Sequence, residues 1–221
     1  MNSARIDPVA SLLADNDVVR RVIAGEKSLF EILMRRNNQK LYRIVRSYLR
    51  DEEEIRDVMQ NTYLKAFDKL SQFHGDAAFS TWLIRIGINE ALMRIKDIKK
   101  TKVLYLNSDH VDAEKLNHIP DKQVSIEKQI IKQEMQQVLE HAIDGLPEKY
   151  RVVYVMKEVE GMENLQVAGI LGISEANVKV RLHRARAIIK DLLLKFTEGA
   201  DVFGFGNSRC DALVEAVMKS I

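Results

Sequence analysis

The stretch from Glu163 to Arg186, ENLQVAGILGISEANVKVRLHRAR, leaves this chain fewer folding choices than any other. It reads as two helices joined by a tight turn. Leu165, Ala168 and Leu171 put apolar groups on one face of the first helix. Gly172 is the stop signal, because the residue just past a helix often takes a left-handed conformation that only glycine adopts without a steric penalty. Ile173 fills the gap between the helices. Ser174 can cap the second helix through its hydroxyl, and Glu175 sets a carboxylate at the positive end of the helix dipole. Val178, Leu182, Ala185 and Ile189 then form a single apolar stripe, with Lys179, Arg181, His183, Arg184 and Arg186 around it. An apolar inner stripe and a basic outer face after a Gly-containing turn are the pattern of a helix that reads duplex DNA from the major groove. The alternative is a helical hairpin whose basic face is merely solvated, and the rest of the chain has to decide.

Elsewhere the sequence is also helical in character. Only 10 Gly and 3 Pro interrupt 221 residues, and 46% of them are hydrophobic, enough for a packed core. The formal net charge is only +2, so nucleic-acid binding has to come from local clusters of cations. A single Cys excludes an internal disulfide and a Cys-based zinc site. There is no signal peptide pattern and no apolar run of membrane length, so a soluble, cytoplasmic protein without membrane insertion is expected.

In chain order, a loose leader is expected before a short helix at Val18–Ala24 that Gly25 ends. Ser28 can cap a long helix running through Leu49. Asp51 begins the next helix with an acidic run to Glu54, which complements the helix dipole and is not read as a metal site. That helix continues to Leu70 and shows Asp57, Gln60 and Asn61 on a polar face. Gly75 and Asp76 break it, and Ser80 or Thr81 can cap another helix that turns basic toward its end, with Arg85, Asn89, Arg94 and Lys96 projecting. The loop before it carries Phe73, His74 and Phe79. Aromatic faces beside cations suit single-stranded nucleic acid, stacking bases and neutralising phosphates. Phe79 and Trp82 have a competing role in the core, favoured for Trp82 because it lies on the apolar periodicity.

The polar stretch Thr101–Val124 reads as an interdomain linker, since a structureless loop of that length is unusual inside one domain. Ser125 can cap a helix to Asp144, Pro147 can start another to Glu158, and the recognition helix is expected to reach about Phe196. In the tail, Leu213, Val214, Val217, Met218 and Ile221 form an amphipathic pattern that should dock on the neighbouring domain or on a partner. His183 has no second ligand nearby in sequence. With no metal-ligand cluster, nucleophile constellation or phosphate-cradling glycine loop, no catalytic residue, metal or cofactor is expected.

Two separated blocks carry a family resemblance. DVMQNTYLKAF followed by FHGDAAFSTWLIRIGINEALMR resembles region 2 of bacterial sigma factors, which binds core RNA polymerase and melted promoter DNA. LPEKYRVVYVMKEVEGMENLQVAGILGISEANVKVRLHRAR resembles their promoter-recognising region 4. Their direct connection resembles the compact extracytoplasmic function (ECF) group, and the likeness runs from about Leu29 to Leu193. It implies an all-α protein of two small helical domains joined by a flexible linker. The implied divisions are a leader at 1–24, region 2 at 25–100, a linker at 101–124, region 4 at 125–198 and a tail at 199–221.

The resemblance implies roles residue by residue. Asp57, Gln60 and Asn61 match positions that bind the polymerase clamp, although Asn61 stands where a carboxylate is common. Phe73, His74, Phe79, Arg85, Asn89, Arg94 and Lys96 match the part that captures the melted downstream element. Ser174, Asn177, Lys179, Val180, Arg181, His183 and Arg184 match the helix that reads the duplex upstream element. Core RNA polymerase, promoter DNA and an anti-sigma factor are the implied partners. The rival reading is a polymerase-independent helix-turn-helix regulator, which has no need of a strand-capturing loop; an enzyme is the remote third.

Overall fold

The computed structural model describes residues 13–105, 126–197 and 218. The leader before residue 13, residues 106–125 of the linker with the Ser125 cap, and the tail apart from Met218 lie outside the described residues. The described chain is all α: α1 (Asp15–Ile23), α2 (Phe30–Arg46), α3 (Glu52–Asp68), α4 (Phe79–Tyr105), α5 (Ile126–Asp144), α6 (Glu148–Tyr154), α7 (Asn164–Leu171) and α8 (Glu175–Thr197). Short 3₁₀ turns cover Lys27–Leu29 and Leu70–Gln72, and a π-helical segment, Val155–Val159, continues α6.

The first unit packs α1 to α4 around Leu33, Leu41, Val45, Ile55, Ala66, Phe79 and Leu83. α3 begins at the acidic run as expected, and Asp51 also caps it, its carboxylate accepting from the backbone N–H groups of Glu53 and Glu54 at 3.0 and 2.9 Å. Gly87 lets α4 approach α2 closely, since a Cβ there would sit 2.6 Å from Leu41 Cδ1. The helix expected at Val18–Ala24 is present, but it belongs to this unit. Val18, Val19 and Val22 are buried in its core, and Arg36 of α2 pairs with Asp15 of α1 at 2.6 Å.

Two helix starts differ from expectation. Ser28 lies inside a 3₁₀ turn and does not cap α2, because the turn runs straight into the helix, with Leu29 at the N-cap position and buried Phe30 as its first residue. Ser80 and Thr81 lie within the first turn of α4, which begins at Phe79. Its far end also runs to Tyr105, five residues into the expected linker.

The second unit is built on α5 to α8. Val178, Leu182, Ala185 and Ile189 are all buried, so the stripe read on the recognition helix is its core-facing side. Val178 and Leu182 join Val152, Val153, Met156 and Val167, whereas Ala185 and Ile189 pack with Ala142 and Leu146. Gly172 ends α7 with φ +64°, the left-handed stop the sequence predicts. Leu165 does not join the α7 face assigned to it. It is 71% exposed, and Val167 takes the inward place beside Ala168. A capping box between Glu163 and Gln166 starts α7.

Candidate nucleic-acid interface

The apolar stripe of α8 determines what its other side can do. With Val178, Leu182, Ala185 and Ile189 turned inward, Asn177, Lys179, Val180, His183 and Arg184 are exposed, while Arg181 is half-buried. Ser174 caps the helix, its Oγ accepting from the Asn177 N–H at 3.2 Å. Arg181 Nε donates to Asn177 Oδ1 at 3.0 Å, and Arg184 donates to the Tyr150 hydroxyl at 3.3 Å. That donated hydrogen bond and the nearby Lys149 and Arg184 charges lower the Tyr150 phenol from its usual value, against a smaller opposing effect of burial. Arg186 is held by Glu158 at 2.6 Å. The outer face is therefore a row of polar and cationic groups, several steadied within the unit itself. Tyr150, which steadies Arg184, is legible in sequence only as an apolar position of α6.

The second cluster lies at the start of α4. Gln72, Phe73, His74, Gly75, Asp76, Ala77, Thr81, Trp82 and Arg85 line an open cleft of about 180 Å³. Its loop leaves the Leu70–Gln72 turn and reverses at Gly75, where φ is +82°. A Cβ at Gly75 would lie 3.7 Å from Asn16 of α1, so the first helix backs the loop. Phe73 and Trp82 form its aromatic wall with Phe79 behind them: Phe73 to Phe79 at 5.7 Å, Phe73 to Trp82 at 5.5 Å and Phe79 to Trp82 at 5.7 Å between centroids.

The seven residues assigned by sequence to this patch divide. Phe73, His74 and Arg85 line the cleft, and exposed Asn89 and Lys96 continue the Arg85 face along α4. Phe79 is a correction: at 1% exposure it is a core side chain that backs Phe73 and Trp82 and offers no face to a base. Arg94 is another. It stands nine positions beyond Arg85, about two and a half turns on and therefore on the opposite side of α4. There it pairs with both carboxylate oxygens of Glu54. Conversely Trp82, read mainly as core, is half-buried and lines the cleft.

Asp57, Gln60 and Asn61 are exposed on α3 and do come together. With Glu90, Met93, Arg94 and Asp97 they line a polar cleft of about 440 Å³ between α3 and α4. Leu64, one turn further and 57% exposed, extends the row. Its position outside the core periodicity of α3 was the available signal. Gln60 and Leu64 also border an apolar groove of about 520 Å³ between α2 and α3, lined by Met34, Met59 and Tyr63 among others. Among the described residues no group of three or more His, Cys, Asp or Glu side chains is arranged to hold a metal, and no helix is long and apolar enough to cross a membrane.

Comparison with known proteins bears on both clusters. The family model Sigma-70 region 2 matches residues 33–101, and Sigma-70, region 4 matches residues 136–189. The chain is 29% identical over 188 residues to the RNA polymerase sigma-H factor of Pseudomonas aeruginosa, covering 81% of this chain and 93% of that protein. It is 30% identical over 182 residues to the ECF RNA polymerase sigma-E factor of Escherichia coli K12, covering 80% and 93%. Among solved structures, CnrH in complex with the cytosolic domain of CnrY aligns with TM-score 0.56 and 26% identity over 82% of this chain and 97% of that one. The sigma factor RpoE in complex with the anti-sigma factor NepR from Bartonella quintana aligns with TM-score 0.59 and 22% identity, covering 74% and 96%, a likeness of fold.

Proposed function

This chain belongs to the ECF group of the sigma-70 family, the factors of transcription initiation that bind DNA through regions 2 and 4, and we propose that it directs core RNA polymerase to promoters by a two-point grip. The observation that carries this reading is the coexistence, on one chain, of an exposed basic recognition row on α8 and an open aromatic–cation cleft before α4. Duplex reading needs a rigid helix that presents Asn, Arg or Lys to base edges, with flanking cations on phosphates. Asn177, Val180, His183 and Arg184 supply the first, and Lys179 and Arg181 the second. Melted DNA needs a place for an unstacked base. The cleft of Phe73, His74, Trp82 and Arg85 has a volume on the scale of one nucleobase, and stacking there offsets strand opening by about 1–3 kcal/mol per base. Asn89 and Lys96 track the same strand along α4.

On this reading Asp57, Gln60, Asn61 and Leu64 form the polymerase-binding row, and exposure on one face of α3 is what supports it. The region 2 unit takes in α1 and extends to α4, and the region 4 unit spans α5 to α8. An anti-sigma factor is the expected regulator, supported by the partners with which CnrH and RpoE were solved. A regulator that binds duplex DNA without polymerase leaves the region 2 match and the open cleft without a use.

Run-off transcription with core polymerase tests the proposal. Promoter-specific transcripts should depend on this chain, and Trp82→Ala should reduce open-complex formation more than duplex binding. Tight duplex binding with no polymerase-dependent transcript from any cognate template overturns it.

A further inference from the structure

Two side chains of α6 stand beside the outward row of α8. Tyr150 is half-buried, its ring packed against the cluster of Ala142, Leu146, Ala185 and Ile189, and its hydroxyl accepts from Arg184 Nη1 at 3.3 Å. A phenol that accepts a hydrogen bond still has its own proton to donate, so the Tyr150 O–H can serve an acceptor outside the protein. Exposed Lys149 lays its ammonium over the same ring, 5.0 Å from the centroid. An ammonium, a hydroxyl and a guanidinium, from two different helices, thus gather around one aromatic ring that the core holds in place.

The charge of this group is not balanced from within. Among the described residues neither Lys149 nor Arg184 pairs with a carboxylate, whereas the nearby Arg186 is held by Glu158 at 2.6 Å. Glu148, next to Lys149 in sequence, acts elsewhere: its charge bears on Arg151 and on Tyr48. The Tyr150 phenol reports the same uncompensated field, since the Arg184 hydrogen bond and the Lys149 and Arg184 charges lower it despite an opposing effect of burial. Two cations flanking a hydroxyl donor suit a phosphate, which offers negative charge and several acceptor oxygens at once.

We propose that Lys149 and Tyr150 bind one phosphate of the upstream element beside the base pair that Arg184 reads, which makes α6 a part of the DNA interface. This rests on the assignment of α8 to the duplex. The donors divide the work. The phenol engages Arg184 through Nη1, which leaves the remaining N–H groups of the guanidinium for a base edge. Lys149 and the Tyr150 O–H fix register on the backbone, a contact that carries no sequence information of its own. Because the same phenol touches the phosphate and Arg184, gripping the backbone also aims the guanidinium.

The test uses the full chain with core polymerase, on promoter duplexes in which single upstream-element phosphates are replaced by neutral methylphosphonates. Lys149→Ala should weaken promoter complexes alike for every upstream sequence and reduce the salt slope by about one. The advantage of wild type over this variant should therefore shrink about threefold between about 50 and 200 mM salt. Tyr150→Phe keeps the packed ring and removes only the hydroxyl, so it should weaken complexes with the salt slope unchanged. At one phosphate, flanking the base pair whose selectivity depends on Arg184, the methylphosphonate should weaken the wild-type complex but not the Lys149→Ala complex any further. Either variant binding with wild-type affinity, or methylphosphonate losses that are the same in wild type and Lys149→Ala at every position, overturns the proposal. Lys179→Ala and Arg184→Ala separate this outcome from a failure of the duplex assignment. If they weaken the complexes and Lys149→Ala does not, α8 keeps the duplex and only the α6 site falls. If none of the three has an effect, the duplex assignment falls and the site with it.

Discussion

Arg184 and Lys179 leave the same helix, yet removing them should fail in different ways. Arg184 is exposed on the outward row and held by Tyr150, an arrangement that fixes a guanidinium for bidentate contact with a base. Arg184→Ala should cost about 1–3 kcal/mol and relax selectivity at one base pair of the upstream element, measured by competition among single-base variants. Lys179→Ala should weaken all sequences alike and reduce the salt slope of binding by about one. In the first unit the contrast is between two rings 5.7 Å apart. Phe79 is buried, so Phe79→Ala should destabilise folding by about 3–5 kcal/mol in chemical denaturation. Trp82 is half-buried in the cleft wall, so Trp82→Ala should act chiefly on open-complex formation. The sequence assigned these two the other way round. Both occupy apolar positions at the start of one helix, and a shift of three residues around the axis decides which ring faces the core.

Several element starts and stops were legible, although α2 and α4 begin elsewhere than at the expected caps. The Asp51 cap, the Gly172 stop, the Ser174 cap and the inner stripe of α8 all stand where side-chain chemistry puts them, because each depends on residues within a turn of itself. Features set by a neighbouring element were not legible. Leu165 points outward and Arg94 finds its partner in Glu54 because of how helices cross, which period alone does not encode, although period does set Arg94 opposite Arg85. Gly87 shows the same dependence: in sequence it is a weak helix residue, in the fold a contact point beneath Leu41. Gly87→Val should overpack that contact and destabilise by about 1–3 kcal/mol in denaturant titration, despite the removal of a poor helix former. Gly172→Ala should cost about 1–2 kcal/mol, because φ +64° strains any residue with a Cβ.

At the scale of the whole molecule the docking of the two units was the least legible feature. Ile44, Ile84 and Ile88 read as ordinary core positions of α2 and α4, but they are buried in the apolar cluster of the second unit, and nothing in their spacing says which core they enter. They are accompanied by a polar clasp, in which Arg46 of α2 donates to both carboxylate oxygens of Asp144 at 2.7 and 2.9 Å and buried Arg151 donates to the Ser47 carbonyl at 2.7 Å. The clasp gives docking a pH dependence of known sign. Burial pushes the Asp144 carboxyl up, but the Arg46 hydrogen bonds and the charges of Arg46, Arg50 and Arg151 outweigh it and leave the group below its ordinary value of 3.8. The same pairing raises Arg46. A depressed carboxylate contributes stability that is fully present above the undocked value and is lost as pH falls through the docked one. Docking should therefore be insensitive to Asp144 near neutrality and weaken below about pH 4. Glu148, whose charge acts on Arg151, faces the clasp as well, so the contribution of Asp144 has to be isolated. Asp144→Asn does so by removing the charge while keeping the shape. Small-angle scattering of the wild-type chain should show expansion in mild acid, and the Asn variant should be more expanded than wild type at neutral pH with a flatter acid response. Identical pH profiles for the two chains would remove Asp144 from the clasp and leave the apolar seam to hold the units alone.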